Sequence, residues 1–272
     1  MPARISPGTA YGFFTDTSIC IGCKACEVAC KEWNQLPGNA PRFLGDSLDN
    51  TGQLDAMNWR HVRFVERFTP PPPGGGGGQQ AFLMMSDVCK HCNQASCMDV
   101  CPTGAIIRTE FDTVLIQQDV CNGCRNCISA CPFGVIGFHG DTGTVRKCTL
   151  CYDRLQAGMQ PACAQACPTQ SIQFGPLDQL HQRADARLAT LHGDGHDQAR
   201  LYGRDGQVYG GLGAFFLLMD RPETYGLPSA ASAVRPGRNN GPGYLGALLG
   251  SVLAVLGGLI ALRRRNETPE TR

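Results

Sequence analysis

Cys121-Asn-Gly-Cys-Arg-Asn-Cys-Ile-Ser-Ala-Cys-Pro132 decides how this chain is built. Three cysteines recur at every third residue, and a fourth follows after three more residues. Cys20, Cys23, Cys26 and Cys30 repeat that spacing. A cubane iron–sulfur cluster offers four iron corners close together. A short loop with a cysteine at every third position can lay thiolates on three of them. The fourth cysteine opens a helix, points away and reaches a second cluster, as in two-cluster ferredoxins.

The rest of the chain follows from this unit. It has 16 cysteines in 272 residues, and all 16 fall into four quartets. Quartet two is Cys89, Cys92, Cys97 and Cys101, with four residues before its third cysteine. Quartet four is Cys148, Cys151, Cys163 and Cys167, with eleven. Proline follows Cys101, Cys131 and Cys167 and helps set the exit turn, since it fixes φ and donates no backbone hydrogen bond; Lys31 follows Cys30 instead. Zinc sites pair two C-x2-C knuckles across a longer loop. Quartet four alone could pass for such a site, but quartets one and three, with three closely spaced cysteines, do not. A disulfide framework has no need of this spacing. The reading is four [4Fe–4S] clusters.

Length alone allows one large or two small domains. The formal charge is +1, which argues against a generally basic nucleic-acid binder and an acidic disordered protein. With 34 Gly and 18 Pro the chain is rich in turns and poor in long helices. Something besides a large apolar core is therefore expected to hold it together. Residues 1–19 carry no apolar stretch of the signal-peptide kind and one positive charge, Arg4, so conventional secretion is not expected.

Three quartet exits align as Cys101-Pro-Thr-Gly-Ala-Ile106, Cys131-Pro-Phe-Gly-Val-Ile136 and Cys167-Pro-Thr-Gln-Ser-Ile172. Each predicts a ligand turn leading into a short strand; Gly104 and Gly134 suit the turn and Gln170 departs from it. Hairpins are expected from Ile106–Arg108 to Val114–Gln117 and from Ile136–Phe138 to Thr144–Lys147. Residues 69–80, a proline run followed by glycines, form a low-complexity loop between the expected strands Val62–Phe68 and Ala81–Met85. Without a following Lys-Ser/Thr and a helix, these glycines are no phosphate cradle, and Gly211-x-Gly213 is too short to mark a nucleotide site. Residues 176–192 show a helical spacing of Leu177, Leu180, Leu188 and Leu191. His192 and His196 read as loop histidines because Gly193 and Gly195 lie between them. His91, between two cysteines of a complete quartet, is a candidate for tuning a nearby cluster rather than a ligand.

No charged residue occurs from Asn239 to Leu262. Tyr244–Leu262, about 28 Å long as a helix, could cross a bilayer core; a buried helix of a soluble protein is the alternative. Gly246, Gly250, Ala254 and Gly258 form a small-residue stripe of the kind that lets membrane helices approach closely.

Two further stretches carry a family resemblance: Thr17-Ser-Ile-Cys-Ile-Gly-Cys-Lys-Ala-Cys-Glu-Val-Ala-Cys-Lys-Glu-Trp-Asn34, and quartet four with its flanks Arg146–Arg154 and Pro161–Pro168. Over about residues 11–262 the chain resembles the iron–sulfur (beta) subunit of membrane-bound formate dehydrogenase, within the wider group of molybdopterin-oxidoreductase iron–sulfur subunits. The Cys-Lys-Glu-Trp-Asn exit and the C-terminal span favour the formate branch; the run at 70–78 lies outside the pattern. The resemblance implies an electron-transfer subunit with no catalytic residues. Its partners would be a catalytic alpha subunit with a molybdenum or tungsten pterin and its own cluster, a gamma subunit that is a membrane cytochrome b reducing quinone, and the lipid bilayer, with no nucleic acid. In agreement, no Ser/His/Asp set, paired acid and base, or dinucleotide loop is evident. The alternatives are a subunit of a sulfoxide, polysulfide or nitrate reductase or of a hydrogenase, and, in another class, a non-redox iron–sulfur scaffold or zinc assembly module.

The resemblance and the outward-pointing fourth cysteine together imply crossed ligation. Cys20, Cys23, Cys26 and Cys167 would hold one cluster, and Cys30, Cys148, Cys151 and Cys163 its partner. Cys89, Cys92, Cys97 and Cys131 would hold the third, and Cys101, Cys121, Cys124 and Cys127 the fourth. The expected fold class is α+β: two ferredoxin-like two-cluster modules, one inserted in the other, plus a C-terminal transmembrane helix. Module one would take 1–68 and 138–175, module two 81–137, with the Pro/Gly loop at 69–80. A subunit-docking extension at 176–240, an anchor at 241–265 and a tail at 266–272 would complete the chain. Electrons would run from the Cys20 cluster through those of Cys148 and Cys89 to that of Cys121. Arg263–Arg265 after the span, against Arg235 and Arg238 before it, place the C-terminus in the cytoplasm and the cluster domain outside. The domain would then cross folded, carried by a partner with a twin-arginine signal.

Overall fold

The computed structural model describes residues 5–40, 45, 48–69, 79–229 and 241–267. The loop at 70–78, Arg235 and Arg238, and the tail from 268 lie outside the described residues. The chain divides into residues 1–234 and 235–272.

The first unit is organised by a four-stranded sheet. Strand β1 (Tyr11–Asp16) is fully buried along its length. The elements after it alternate short helices with hairpins: α1 (Ala25–Trp33), β2 (Arg60–Thr69), β3 (Gln79–Val88), α2 (Ser96–Asp99), β4 (Ile106–Arg108), β5 (Val114–Ile116), α3 (Asn126–Ala130), β6 (Gly137–His139), β7 (Thr144–Arg146), α4 (Tyr152–Gln156) and α5 (Ala162–Gln165). Then come β8 (Ile172–Pro176), α6 (Leu177–Gly193), β9 (Arg200–Tyr202) and β10 (Ala214–Leu218). The sheet order is β8-β1-β10-β9. β1 runs antiparallel to β8 and parallel to β10, with Phe14 opposite Phe215.

Side chains alternate across a strand, so β1 serves two cores. Tyr11 and Phe13 face a cluster of buried residues that includes Cys26, Cys89, Cys127, Cys148 and Cys163. Phe14 faces the other side, where Phe215, Leu180, Ala184 and Leu191 pack. The central strands are covered on both faces, so they read as near-continuous apolar runs. This second core, free of cysteines apart from the half-buried Cys92 at its edge, is larger than the composition led one to expect. The segment expected as a docking extension therefore also completes the main sheet, through α6, β9 and β10. α6 spans the predicted 176–192 almost residue for residue, with Leu180 and Leu191 buried.

The expected hairpins form. β4 pairs with β5, β6 with β7, and β2 with β3, the last running from Arg60 opposite Val88 to Thr69 opposite Gln79. His192 closes α6, contrary to the loop expected there, and its Nε2 meets the Ala199 carbonyl at 2.9 Å. Among the described residues of this unit, α6 alone exceeds nine residues as a helix, in keeping with the Gly and Pro content.

The second unit holds α7 (Gly241–Glu267). Its Gly243–Arg263 stretch has a mean hydropathy of 2.4 and is long and apolar enough to cross a membrane. Leu245, Leu253 and Val255 are each more than 60 % exposed, which a core helix of a soluble domain would not show.

Candidate metal centres

Each quartet begins with the same backbone device. The residue before the second cysteine has positive φ in all four: Gly22 (65°), His91 (44°), Gly123 (70°) and Leu150 (58°). Lys24, Arg125 and Cys151 continue the left-handed turn at the N-cap of α1, α3 and α4. Successive residues in such conformations turn backbone N–H groups toward one concave centre, an anion-binding nest of the kind found at iron–sulfur sites. Glycine takes this conformation without strain; Leu150 does not, and it is held there by complete burial. Its N–H lies 3.3 Å from Cys148 Sγ.

The fourth cysteine of a quartet does not open a helix, contrary to the expectation from sequence: Cys30 lies in the last turn of α1 and Cys131 caps the C-terminus of α3, so the helix carries it away from the loop. α1 packs on α5, and α2 on α3, which brings distant quartets together. Cys20, Cys23, Cys26 and Cys167 line one cavity. Cys89, Cys92, Cys97 and Cys131 line another. Cys101, Cys121, Cys124 and Cys127 line a third. Cys30, Cys148, Cys151 and Cys163 are all buried, and α1, which carries Cys30, packs on α5, which carries Cys163. The sixteen cysteines thus gather into four sets, and each set takes its fourth member from a different quartet.

Successive sets influence one another electrostatically. Cys26 of the first feels Cys163 of the second. Cys148 of the second feels Cys89 of the third, and Cys97 of the third feels Cys127 of the fourth. Cys23 and Cys124, in the first and fourth sets, are the exposed cysteines. The second set is buried throughout.

The donor chemistry suits a cluster. Among the described residues no three His, Cys, Asp or Glu side chains converge closely enough to hold a single metal ion. The cysteines instead rim shared cavities, four to each in the three sets named above. Burial pushes the thiols of Cys26, Cys97 and Cys148 up to about 12, and those of Cys127 and Cys151 up to about 11, with neighbouring cysteines adding to it in each case. Such thiols become thiolates only against a strong positive centre, and thiolate is the donor that iron–sulfur clusters take.

Several polar residues near the cysteines carried no signal in the sequence. Lys147 is buried; its Nζ donates to the Val114 and Cys148 carbonyls, and it lines the cavity of the third set. Lys90 pairs with Asp87 and lies 5.0 Å over Phe133 and 5.3 Å over Phe216. Arg60 reaches Cys163 and is fully buried. His91 was legible as a tuning candidate from its place between two cysteines. Its Nδ1 accepts from the Val114 N–H at 3.0 Å, which leaves the proton on Nε2. Burial first, then the charges of Lys147 and Arg108, hold it well below the usual histidine range. The Nε2–H is buried without a protein partner, and the residue lines the cavity of the third set.

Comparison with known proteins agrees with this chemistry. Residues 19–105 and 80–177 each match a 4Fe-4S dicluster domain model. Two dicluster domains and sixteen cysteines are consistent with four [4Fe–4S] clusters. The chain is 38 % identical over 217 residues to the iron–sulfur subunit of the nitrate-inducible formate dehydrogenase of Escherichia coli, covering 78 % of this chain and 70 % of that one. It is equally similar to a formate dehydrogenase iron–sulfur subunit of Haemophilus influenzae, covering 67 % of it. A subunit of the anaerobic dimethyl sulfoxide reductase of Escherichia coli is 36 % identical over 176 residues, or 64 % of this chain and 78 % of that one.

Proposed function

Since the chain belongs to the family of formate dehydrogenase iron–sulfur subunits, we propose that it relays electrons from a formate-oxidising molybdenum or tungsten pterin subunit to a membrane cytochrome b and quinone. The observation that carries this reading is that the first and fourth cysteine sets each have an exposed member, Cys23 and Cys124, while the second set is buried throughout. A wire needs that form: contact with partners at its ends and insulation from water between them. Each cluster, when bound, takes up and passes on one electron.

The cysteines are assigned as crossed ligands in the four sets described above. This makes two ferredoxin-like modules: quartets one and four in 1–68 and 138–175, and quartets two and three inserted at 81–137. Residues 176–240 serve partner docking. The direction of travel is from the Cys20 set through the Cys148 and Cys89 sets to the Cys121 set. α7 anchors the chain in the bilayer with its C-terminus in the cytoplasm, and the body lies outside.

The similarity to the dimethyl sulfoxide reductase subunit supports the second reading, a subunit of another molybdopterin oxidoreductase. The longer match to the formate branch favours the first. Purification from the native host in mild detergent decides between them. Formate-dependent quinone reduction with molybdenum or tungsten in the copurified large subunit is the expected result. Copurification with a sulfoxide-reducing subunit and no formate activity would sink it. Protease added to intact spheroplasts should digest residues 1–240; their protection until lysis would reverse the sidedness.

A further inference from the structure

Arg60, at the start of β2, is 2 % exposed. Its Nη2 donates to Cys163 Sγ at 3.1 Å, a ligand position of the second set. Its Nη1 reaches the carbonyl and the hydroxyl of Ser86, each at 3.4 Å. The Ser86 hydroxyl in turn lies 3.2 Å from Cys26 Sγ, in the first set. The guanidinium stacks 4.8 Å over the Phe13 ring, and its Nε is buried with no partner. Among the described residues no carboxylate comes within 4.0 Å of it.

A buried guanidinium without a carboxylate needs another counter-charge, because stripping water from it costs several kcal/mol. The thiolates of two neighbouring sets supply that charge, one directly and one through Ser86. We propose that Arg60 is a positioning and charge-tuning residue shared by the two clusters of module one, holding the midpoint potentials of both above what the thiolates alone would give. The reasoning rests on the ligand assignment above. A cluster with four thiolate ligands is an anion, and reduction by one electron adds a negative charge. A fixed cation in a low-dielectric interior stabilises the reduced form more than the oxidised one. Ser86 makes the effect asymmetric, since its hydroxyl serves Cys26 and not Cys163.

The test is redox titration of the full complex, followed by electron paramagnetic resonance, with iron and sulfide counted in each preparation. In Arg60→Met two of this chain's four midpoint potentials should fall and the other two should stay. Arg60→Lys should restore part of the shift. Ser86→Ala, which leaves the cation in place, should lower one of those two potentials alone. Four unmoved potentials in Arg60→Met, or an equal shift in all four, would overturn the proposal. Where Arg60→Met loses its clusters, Arg60→Gln, which removes the charge and keeps a polar head, decides: two lowered potentials uphold the proposal and four unmoved ones overturn it. A parent complex with fewer than four clusters per chain overturns the assignment and this inference together. A full complement with unmoved potentials overturns the role of Arg60 alone.

Discussion

The indole Nε1 of Trp33 donates to Asp153 Oδ2 at 2.7 Å, and the Arg154 guanidinium lies 4.2 Å over the same ring. Trp33 ends the helix that carries Cys26 and Cys30; Asp153 and Arg154 sit on the helix that follows Cys151. One side chain therefore fastens quartet one to quartet four, 120 residues apart. Arg154 is braced in turn by the Gln160 carbonyl and Gln165.

Trp33→Ala should cost about 1–2 kcal/mol, from one cation–π contact and one hydrogen bond to a charged acceptor. Thermal denaturation should show a midpoint several degrees lower. Loss of cluster absorbance to a chelator should quicken. An unchanged melting curve would show that the contact is incidental.

The quartet exits make a contrasting pair. Gly104, Gly134 and Gln170 occupy equivalent turn positions, with φ of 68°, 61° and 55°. A Cβ added at Gly134 would meet nothing within 4 Å, so Gly134→Ala tests backbone strain alone. It should destabilise by about 1–2 kcal/mol. Gln170→Gly should be neutral or slightly stabilising, because its relief of strain is offset by about 0.5–1 kcal/mol of added unfolded-state freedom. Equal denaturation midpoints for Gly134→Ala and the parent would contradict this.

These turns were legible in the sequence because the chemistry is local: a cysteine spacing, a proline, a glycine. The β4–β5 and β6–β7 hairpins were legible for the same reason, as was α6 from its leucines. The main sheet was not. Tyr11–Asp16 and Ala214–Leu218 are short apolar runs about 200 residues apart, and nothing local to either specifies a parallel pairing. Arg60 and Ser86 were hidden for a similar reason. They stand at no fixed distance from any cysteine, and the β2–β3 register, with Arg60 opposite Val88, is what brings them together. The cysteine spacing announced what the chain binds; the residues that tune the centres depend on tertiary packing.

His181 supplies a pH dependence away from the cysteines. Its ring meets Phe215 edge-on at 4.9 Å. Burial first, and then the Arg204 charge, lower its pKa below the usual value, against the pull of Asp185 and Asp178. The unfolded chain therefore binds the proton more readily than the folded one. Stability should be full above about pH 6.5 and decline as pH falls from there toward the folded value. Thermal midpoints of the parent and His181→Gln, taken from pH 7.5 to 5.5, should show a smaller decline in the variant. Parallel declines would assign the effect to other groups.

The crossing of ligands yields the strictest prediction, because it fixes which pairs of substitutions act on one centre. Cys131 lines the same cavity as Cys92, although thirty-nine residues separate them, and Cys124, seven residues before Cys131, lines another. Removing two ligands of one cluster should do no more than removing one, whereas ligands of different clusters should act independently. Cys92→Ala, Cys124→Ala and Cys131→Ala should each alter one [4Fe–4S] signal in electron paramagnetic resonance. Cys92→Ala with Cys131→Ala should still alter one. Cys124→Ala with Cys131→Ala should alter two. If each quartet closed on its own cluster the two double variants would exchange results, since Cys124 and Cys131 would then share a centre. The comparison uses the same Cys131 change in both backgrounds, so a general weakening of the fold by that change cancels between them. The pairing of the outcomes, rather than the size of either, decides the ligand assignment.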